Sequence, residues 1–192
     1  MKKLVLAAGI FAVAAVFNVA DAQRPTIGVK GGVNFTGLSN LGGDERTAGH
    51  VGLFMQTNLQ RNWKFQPELL YSAQGQHFKN DQDQGRILAL DYIQMPLMFQ
   101  YYPASRFYLE VGPQAGVLIN AKTKDAESGN DKNDVEENYR KFDAGINAGV
   151  GVNICRNFAI YGRYSQGLID VTKSESISRV NHAVQLGAAL KF

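Results

Sequence analysis

The fold shows most plainly in Trp63–Gln74, which reads WKFQPELLYSAQ. Its odd positions are apolar or aromatic. Its even positions are Lys, Gln, Glu, Ser and Gln, with Leu70 as the exception. Residues i and i+2 lie on the same face of a β-strand, so this alternation predicts a strand with one apolar and one polar face.

The same period of two recurs seven more times along the chain. In each segment aliphatic and aromatic residues alternate with polar residues and glycine. The chain has 20 Gly and 19 Phe plus Tyr to fill these positions. We therefore predict an all-β chain of eight antiparallel strands. The seven further segments are Thr26–Thr36, Gly49–Leu59, Ala89–Tyr101, Phe107–Ala121, Phe142–Ile154, Phe158–Gln166 and His182–Phe192.

Alternation alone also fits a soluble β-sandwich, but the lengths of the connections favour a membrane barrel. Long and short connections alternate, as they do in outer-membrane barrels with long extracellular loops and short periplasmic turns. The long ones are Ser39–Ala48, Gln76–Leu88, Lys122–Lys141 and Asp170–Asn181; the short ones are Gln60–Asn62, Tyr102–Arg106 and Cys155–Asn157.

Aromatic residues on the apolar face support the same interpretation, because they lie at strand ends. Two such bands, separated by aliphatic residues, are typical of the two girdles at the interfaces of a bilayer. Trp63, Phe65, Tyr101, Phe107, Phe158 and Phe192 lie near short turns or the C-terminus, and Phe35, Tyr71, Phe142 and Tyr164 lie toward the long loops.

The polar face predicts a filled barrel interior. It carries Lys30, Glu68, Glu110, Asp143 and Arg163, and we expect the three acids to pair with the two cations across the lumen. Such a network either replaces a hydrophobic core and makes the barrel rigid, or forms a conduction path or ligand site. The narrow interior of eight strands favours the first interpretation.

Composition excludes several other classes. After residue 22 no charge-free run exceeds 14 residues, whereas a spanning helix needs about 20 apolar residues. The net charge of +3 comes without a basic block, so nucleic acid is not an expected partner. A single cysteine, Cys155, forms no internal disulfide, and we expect it to be a tolerated turn residue. No Cys/His cluster indicates a metal, and no motif indicates a cofactor.

The first 22 residues have the layout of a secretory signal peptide. Lys2 and Lys3 precede an apolar stretch that ends at Ala20-Asp21-Ala22, and Ala20 and Ala22 form a small-x-small cleavage site. The alternative is a short membrane anchor. We predict a cleaved signal peptide at residues 1–22 and a mature barrel domain at residues 23–192.

The last strand resembles the C-terminal assembly signal of outer-membrane barrels. Gln185, Gly187, Leu190 and Phe192 occupy the polar, glycine, apolar and terminal aromatic positions of that signal. The resemblance implies recognition by the barrel-assembly machinery.

Segments along nearly the whole mature chain are similar to the PorT-like outer-membrane β-barrel family of Bacteroidetes-type bacteria, with an OmpA/OmpX-like eight-stranded barrel. The likeness implies a monomer with both chain ends near the periplasm, and it implies no reaction. The segments are Gly28–Phe35, Phe65–Tyr71, Leu90–Leu97, Leu109–Pro113 and Tyr164–Leu168.

Two features of the extracellular side raise other functions. A rim hydrolase would use His50 or His182 as base, with Ser72, Ser165 or Ser178 and with Asp91 or Asp170, but no spacing selects them, and His77 lies in a loop. Within Asp125–Glu137 there are six acids and one lysine. This segment is either a site for a cation or partner, or a solvated loop, and it lacks the ligand order of a calcium loop.

We therefore predict a non-enzymatic, integral barrel in the outer membrane of a Gram-negative bacterium, with a structural or surface-interaction role. Its expected partners are outer-membrane lipids, the assembly machinery and an extracellular ligand held by the four loops. The alternatives are a narrow pore or small-solute transporter, a rim hydrolase and a soluble, lipocalin-like periplasmic binder.

Overall fold

The computed structural model describes residues 25–38, 44–78, 86–125, 131–134, 142–168 and 181–192. The predicted signal peptide lies outside these ranges and stays a prediction. Within them, no helix is long and apolar enough to cross a membrane. The strands are β1 (Thr26–Leu38), β2 (Asp44–Gln60), β3 (Trp63–Phe78), β4 (Arg86–Tyr101), β5 (Phe107–Asp125), β6 (Asp131–Asp134), β7 (Phe142–Asn153), β8 (Phe158–Gly167) and β9 (Asn181–Lys191).

Eight of these strands form a closed antiparallel barrel. Each pairs with its neighbours along the chain, β5 pairs directly with β7, and β1 pairs with β9 to close the ring. Closure leaves no strand edge bare, which backbone groups in hydrocarbon require. The prediction of an eight-stranded, up-and-down barrel is confirmed.

The ninth strand, β6, lies outside the barrel and pairs with the outer end of β5, from Lys122 to Lys124. The sequence pattern did not predict it, because DKND has no apolar alternation. The barrel wall is also uneven in height. β2, β3, β4 and β5 have 17, 16, 16 and 19 residues, whereas β7, β8 and β9 have 12, 10 and 11.

The two faces of the wall differ as predicted. Leu69 is 53% exposed on the outer face, and its neighbour Leu70 is 1% exposed in the interior. Aliphatic residues of every barrel strand are exposed on the outside, while Lys, Glu, Gln and Asn side chains are buried inside. This arrangement is the reverse of a soluble protein, so the soluble sandwich and the lipocalin-like binder are both wrong.

The interior also contains large rings, and glycines on neighbouring strands make room for them. A Cβ at Gly28 would overlap the Phe54 ring, and one at Gly151 would overlap Tyr108. A Cβ at Gly187 would lie 2.6 Å from the Tyr161 hydroxyl. Each glycine is directly opposite its ring in the register, so part of the high glycine content is explained by lumen packing.

The end of the barrel with the short turns is held by backbone hydrogen bonds and aromatic pairs. Tyr102 N donates to Asn62 O over 2.8 Å, and Phe192 N donates to Ile27 O over 2.8 Å. Outside the wall, the rings of Trp63 and Tyr101 lie 5.0 Å apart, as do those of Phe65 and Phe99. These paired rings form an aromatic band at this end of the barrel, as the sequence predicts.

Candidate functional site

The centre of the lumen holds an ion cluster formed by four strands. Lys30 of β1, Glu68 of β3, Glu110 of β5 and Arg163 of β8 are each at least 96% buried. We call these four residues the central ion cluster. Alternation places all four side chains on the inner face, and barrel closure brings the four strands to one axis.

Arg163 is the hub of the central ion cluster. Its Nη1 and Nη2 donate to Glu68 Oε2 and Oε1 over 2.9 and 2.8 Å, and its Nε donates to Glu110 Oε1 over 2.8 Å. Lys30 Nζ donates to Glu68 Oε1 over 3.0 Å and lies 3.9 Å from the centre of the Tyr161 ring. Gly149 leaves space beside Glu110, since a Cβ there would lie 3.1 Å from Oε1.

The central ion cluster is balanced in charge. Two cations face two carboxylates, so the cluster carries no net charge, and both carboxylates also accept hydrogen bonds from neutral groups. Buried ions persist only when they are paired and their remaining oxygens are hydrogen-bonded. The cluster therefore acts as a polar core that ties β1, β3, β5 and β8 together across the lumen.

Three glutamines close the lumen on the side of the short turns. Gln66 donates to Glu68 Oε1 over 2.9 Å and Gln100 donates to Glu110 Oε2 over 3.0 Å. Gln56 donates to Oε1 of both Gln66 and Gln100, over 2.9 and 2.8 Å. This amide layer adds a neutral hydrogen-bond donor to each of the two carboxylates, at Glu68 Oε1 and Glu110 Oε2.

A second polar layer lies on the long-loop side of the cluster. It contains Asn34, His50, Ser72 and Tyr161, and we call it the neutral layer. His50 Nδ1 lies 2.6 Å from Asn34 Oδ1, and His50 Nε2 lies 2.5 Å from Tyr161 Oη. Asn34 Oδ1 can only accept, so neutral His50 donates from Nδ1 and accepts the Tyr161 hydroxyl at Nε2.

The groups proposed for a rim hydrolase do not assemble among the described residues. Both ring nitrogens of His50 have other partners, and Ser72 Oγ accepts hydrogen bonds from Asn34 and Gln74 over 3.0 Å each instead of one from His50. Ser165 Oγ accepts a hydrogen bond from Gln114. Ser178 and Asp170 lie outside the described residues. No cluster of three or more His, Cys, Asp and Glu side chains suited to a metal occurs in the described ranges.

Asp143 does not join the central ion cluster. It is 5% exposed inside the barrel, near the long-loop end of β7, and its Oδ1 has no hydrogen-bond partner among the described residues. Asn147 Oδ1 and Gln94 Nε2 are also without partners there. The expected pairing of Asp143 with Lys30 or Arg163 is wrong, because Arg163 is already saturated by two glutamates closer to the short-turn end.

Comparison with known proteins gives the family. Residues 20–173 match the model of the outer membrane protein beta-barrel domain.

The chain belongs to this family of outer-membrane β-barrels.

Solved structures with the same architecture share little sequence with this chain. Neisserial surface protein A (NspA) superimposes with a TM-score of 0.56 at 11% identity, covering 88% of this chain and 98% of its own. Ail, the attachment invasion locus protein of Yersinia pestis, superimposes with a TM-score of 0.51 at 13% identity, covering 88% of this chain and 97% of its own. The structure of Ail in complex with the heparin analogue sucrose octasulfate superimposes with a TM-score of 0.50 at 15% identity, covering 88% of this chain and 100% of its own.

No curated protein is similar enough in sequence to count as a relative. The family and these structures place the chain in the outer membrane of a Gram-negative bacterium.

On the lipid-facing surface of this outer-membrane barrel, one polar pair departs from the regular pattern. Asp91 faces outward, and Asn120 Nδ2 donates to its Oδ2 over 3.0 Å. Alternation predicts that Asn120 faces inward. A register shift between Asp91 and Tyr92 in the pairing of β4 with β5 turns it outward instead.

Gln185, Gly187 and Leu190 of the predicted assembly signal lie in β9, and Phe192 follows the strand directly. Gln185 is buried in the lumen, and Leu190 and Phe192 are exposed on the outer face. Gly187 lies against the Tyr161 ring, so glycine is required there by packing as well. The signal itself stays a prediction.

Sequence reasoning placed Tyr161 and the three glutamines of the amide layer on the inward face but predicted none of their contacts. Their inward positions follow from the alternation. What alternation cannot show is which inward side chains lie at the same height, because that depends on the stagger of the closed barrel.

Proposed function

We propose that the chain is a non-enzymatic surface barrel that presents its long loops to an extracellular partner and does not conduct solutes through its lumen. The observation that carries the proposal is the filled interior. The central ion cluster, bounded by the amide layer and the neutral layer, occupies the axis with side chains whose hydrogen bonds are satisfied by one another.

The uneven wall supports a role at the cell surface. About 9–11 residues cross tilted hydrocarbon, and β5 has 19. Because β2–β3 and β4–β5 are joined by short turns at the other end, the surplus length of β2 to β5 projects on the long-loop side, where β6 extends it. Such a platform is built for contact with something outside the membrane.

The acidic segment Asp125–Glu137 limits the class of partner. Ail binds the heparin analogue sucrose octasulfate in its crystal structure, but six acids and one lysine in this segment would repel a sulfated ligand. We propose instead a partner whose contact surface is basic.

The finer family assignment is also a proposal. The segments quoted above, such as Phe65–Tyr71, support a PorT-like barrel, monomeric and inserted by the barrel-assembly machinery after removal of residues 1–22. They supply no reaction, and the occupied nitrogens of His50 support a non-enzymatic role.

The test combines cell adhesion with conductance. Intact Gram-negative cells that display the wild-type barrel should adhere to a surface coated with a basic protein such as poly-lysine-conjugated albumin. Cells that display a variant with residues 126–140 replaced by Gly-Ser linker should adhere as weakly as cells without the barrel. A matched variant replaces only the five acids within residues 126–140 with their amides, and it should lose adhesion to a similar degree.

Planar-bilayer recording decides against the alternative functions. The purified barrel should show no steady single-channel conductance. Steady openings in the wild type would contradict the proposal and favour the narrow pore. Equal adhesion of the wild type and both variants would contradict the proposed role of the acidic segment.

A further inference from the structure

The periplasmic end of the barrel carries five cations and no acidic side chain in the described residues. Each of the three short turns contributes one arginine: Arg61, Arg106 and Arg156. Lys64 of β3 and Lys191 of β9 project into the mouth from the wall. The long loops, in contrast, carry cations and acids together.

These five residues surround a cavity rather than lying scattered on a surface. A cavity of about 610 Å³ opens at the mouth and is lined by all five cations. A second one of about 500 Å³ adjoins it and shares Lys64, Arg156 and Lys191. We call the two together the basic vestibule. Gln56 of the amide layer lines the second cavity, so the basic vestibule extends inward as far as the amide layer.

The charges of the basic vestibule are not neutralised within the described protein. No salt bridge of the described residues includes any of the five. Lys64 Nζ donates to Gln56 Oε1 over 3.3 Å and lies 4.6 Å from the Tyr102 ring, and Lys191 Nζ donates to Asn153 Oδ1 over 2.6 Å. Burial raises the pKa of the Tyr102 hydroxyl, so this ring adds no negative charge.

The three turn arginines also lie beside the aromatic band. Arg61 is followed after one residue by Trp63, Arg106 is followed directly by Phe107, and Arg156 is followed after one residue by Phe158. Interfacial aromatic rings lie at the level of lipid headgroups. Arg61 occupies a two-residue hairpin with a φ of 28°, where Gly or Asn is the usual choice.

We propose that the basic vestibule binds a phosphate-bearing anion from the periplasmic side. Arginine matches phosphate with a planar fork of donors, and lysine adds a compact charge. Three arginines on separate turns, with two lysines deeper in the cavity, suit an anion with more than one charge. The phosphate comes either from an anionic phospholipid of the inner leaflet or from a soluble periplasmic compound, and both present the same group to the same residues.

The experiment uses the full-length protein, folded and checked by heat-modifiable mobility. In the soluble arm, the barrel in phosphatidylcholine nanodiscs is titrated with inorganic pyrophosphate by calorimetry. In the lipid arm, the barrel is purified from mixed phosphatidylglycerol and phosphatidylcholine micelles, and retained lipid is measured by native mass spectrometry. Binding in the first arm identifies a soluble source, and selective retention in the second identifies a lipid source.

Three variants test whether binding depends on the basic vestibule or only on the net charge of the protein. R61Q/R106Q/R156Q should weaken binding by at least about tenfold in the arm that shows it. R61K/R106K/R156K should bind more tightly than the glutamine variant but less tightly than the wild type, because the charge is kept and the planar fork of donors is lost. R86Q/K122Q/K124Q removes three cations from the opposite end and should change binding by less than about twofold.

Two outcomes would overturn the proposal. One is that neither pyrophosphate nor phosphatidylglycerol binds the wild-type barrel above the level of phosphatidylcholine. The other is that the two glutamine variants lose binding equally, since the effect would then come from net charge and not from the basic vestibule.

Discussion

The centre of the lumen and its β7 side hold buried carboxylates in different ways. Glu68 and Glu110 each accept hydrogen bonds from Arg163 and from a glutamine, whereas Asp143 Oδ1 has no partner among the described residues. All three are about equally buried. Burial alone therefore does not say whether a charge stabilises the barrel; the number of donors around it does.

The largest loss of stability is expected from removing Arg163, the hub of the central ion cluster. In R163M, Glu68 keeps its ion pair with Lys30 but loses the one with Arg163, and Glu110 loses its ion pair with Arg163. We expect the free energy of unfolding to fall by about 3–5 kcal/mol, the cost of an uncompensated buried charge. Urea unfolding in lipid vesicles, followed by the fluorescence of the single tryptophan, Trp63, measures it.

The control for that variant is R163M/E68Q/E110Q, which removes the stranded charges together with the guanidinium. It should recover more than half of the lost stability. A loss below about 1 kcal/mol in R163M would mean that the cluster is hydrated and does not act as a core.

A second variant places a charge on the outer face, where the acyl chains offer it neither water nor a counter-charge. L69R puts a guanidinium among acyl chains and should lower the free energy of unfolding by about 2–4 kcal/mol. The matched variant L69F should be nearly neutral. If L69R folds into vesicles with wild-type stability, Leu69 does not face lipid.

Filling the space of a lumen glycine should have the next largest effect. G151A drives a methyl group into the Tyr108 ring, and we expect a loss of about 1–3 kcal/mol in the same assay. The double variant G151A/Y108L replaces the tyrosine ring with a smaller side chain and should restore part of that loss. Equal stability of G151A and wild type would show that the ring lies elsewhere.

The smallest effect is expected on the β7 side. D143N changes a carboxylate whose Oδ1 has no described donor, so the free energy of unfolding should stay the same or rise by up to about 1 kcal/mol. The corresponding change at the centre, E68Q, should instead destabilise. A loss in D143N as large as in E68Q would give Asp143 a partner outside the described residues.

The sequence predicts the barrel well because the period of two reflects a physical constraint at every residue. A lipid-facing side chain must be apolar, and an inward one must fit a narrow polar core, so Leu69 and Glu68 reveal their faces without any alignment. The lengths of the connections then indicate which end is which. All eight predicted strands are found, and most extend further on the long-loop side.

Contacts across the lumen are harder to predict. Lys30 and Glu68 are 38 residues apart, and Arg163 and Glu68 are 95 residues apart, so their meeting depends on stagger and closure. Asp143 shares their face but not their height, which is why its pairing was predicted wrongly. Asn120 was misplaced because a register shift is invisible in the alternation.

Adjacent residues on opposite faces of β4 show directly which face of the barrel wall meets the lipid. In a W63F background, a single tryptophan is placed at Tyr92, which is 0% exposed in the lumen, or at Ile93, which is 38% exposed on the outside. Vesicles of lipids brominated along the acyl chains quench tryptophan on contact. We expect strong quenching of I93W and almost none of Y92W; quenching of Y92W with I93W left unaffected would show that the apolar face does not meet the lipid.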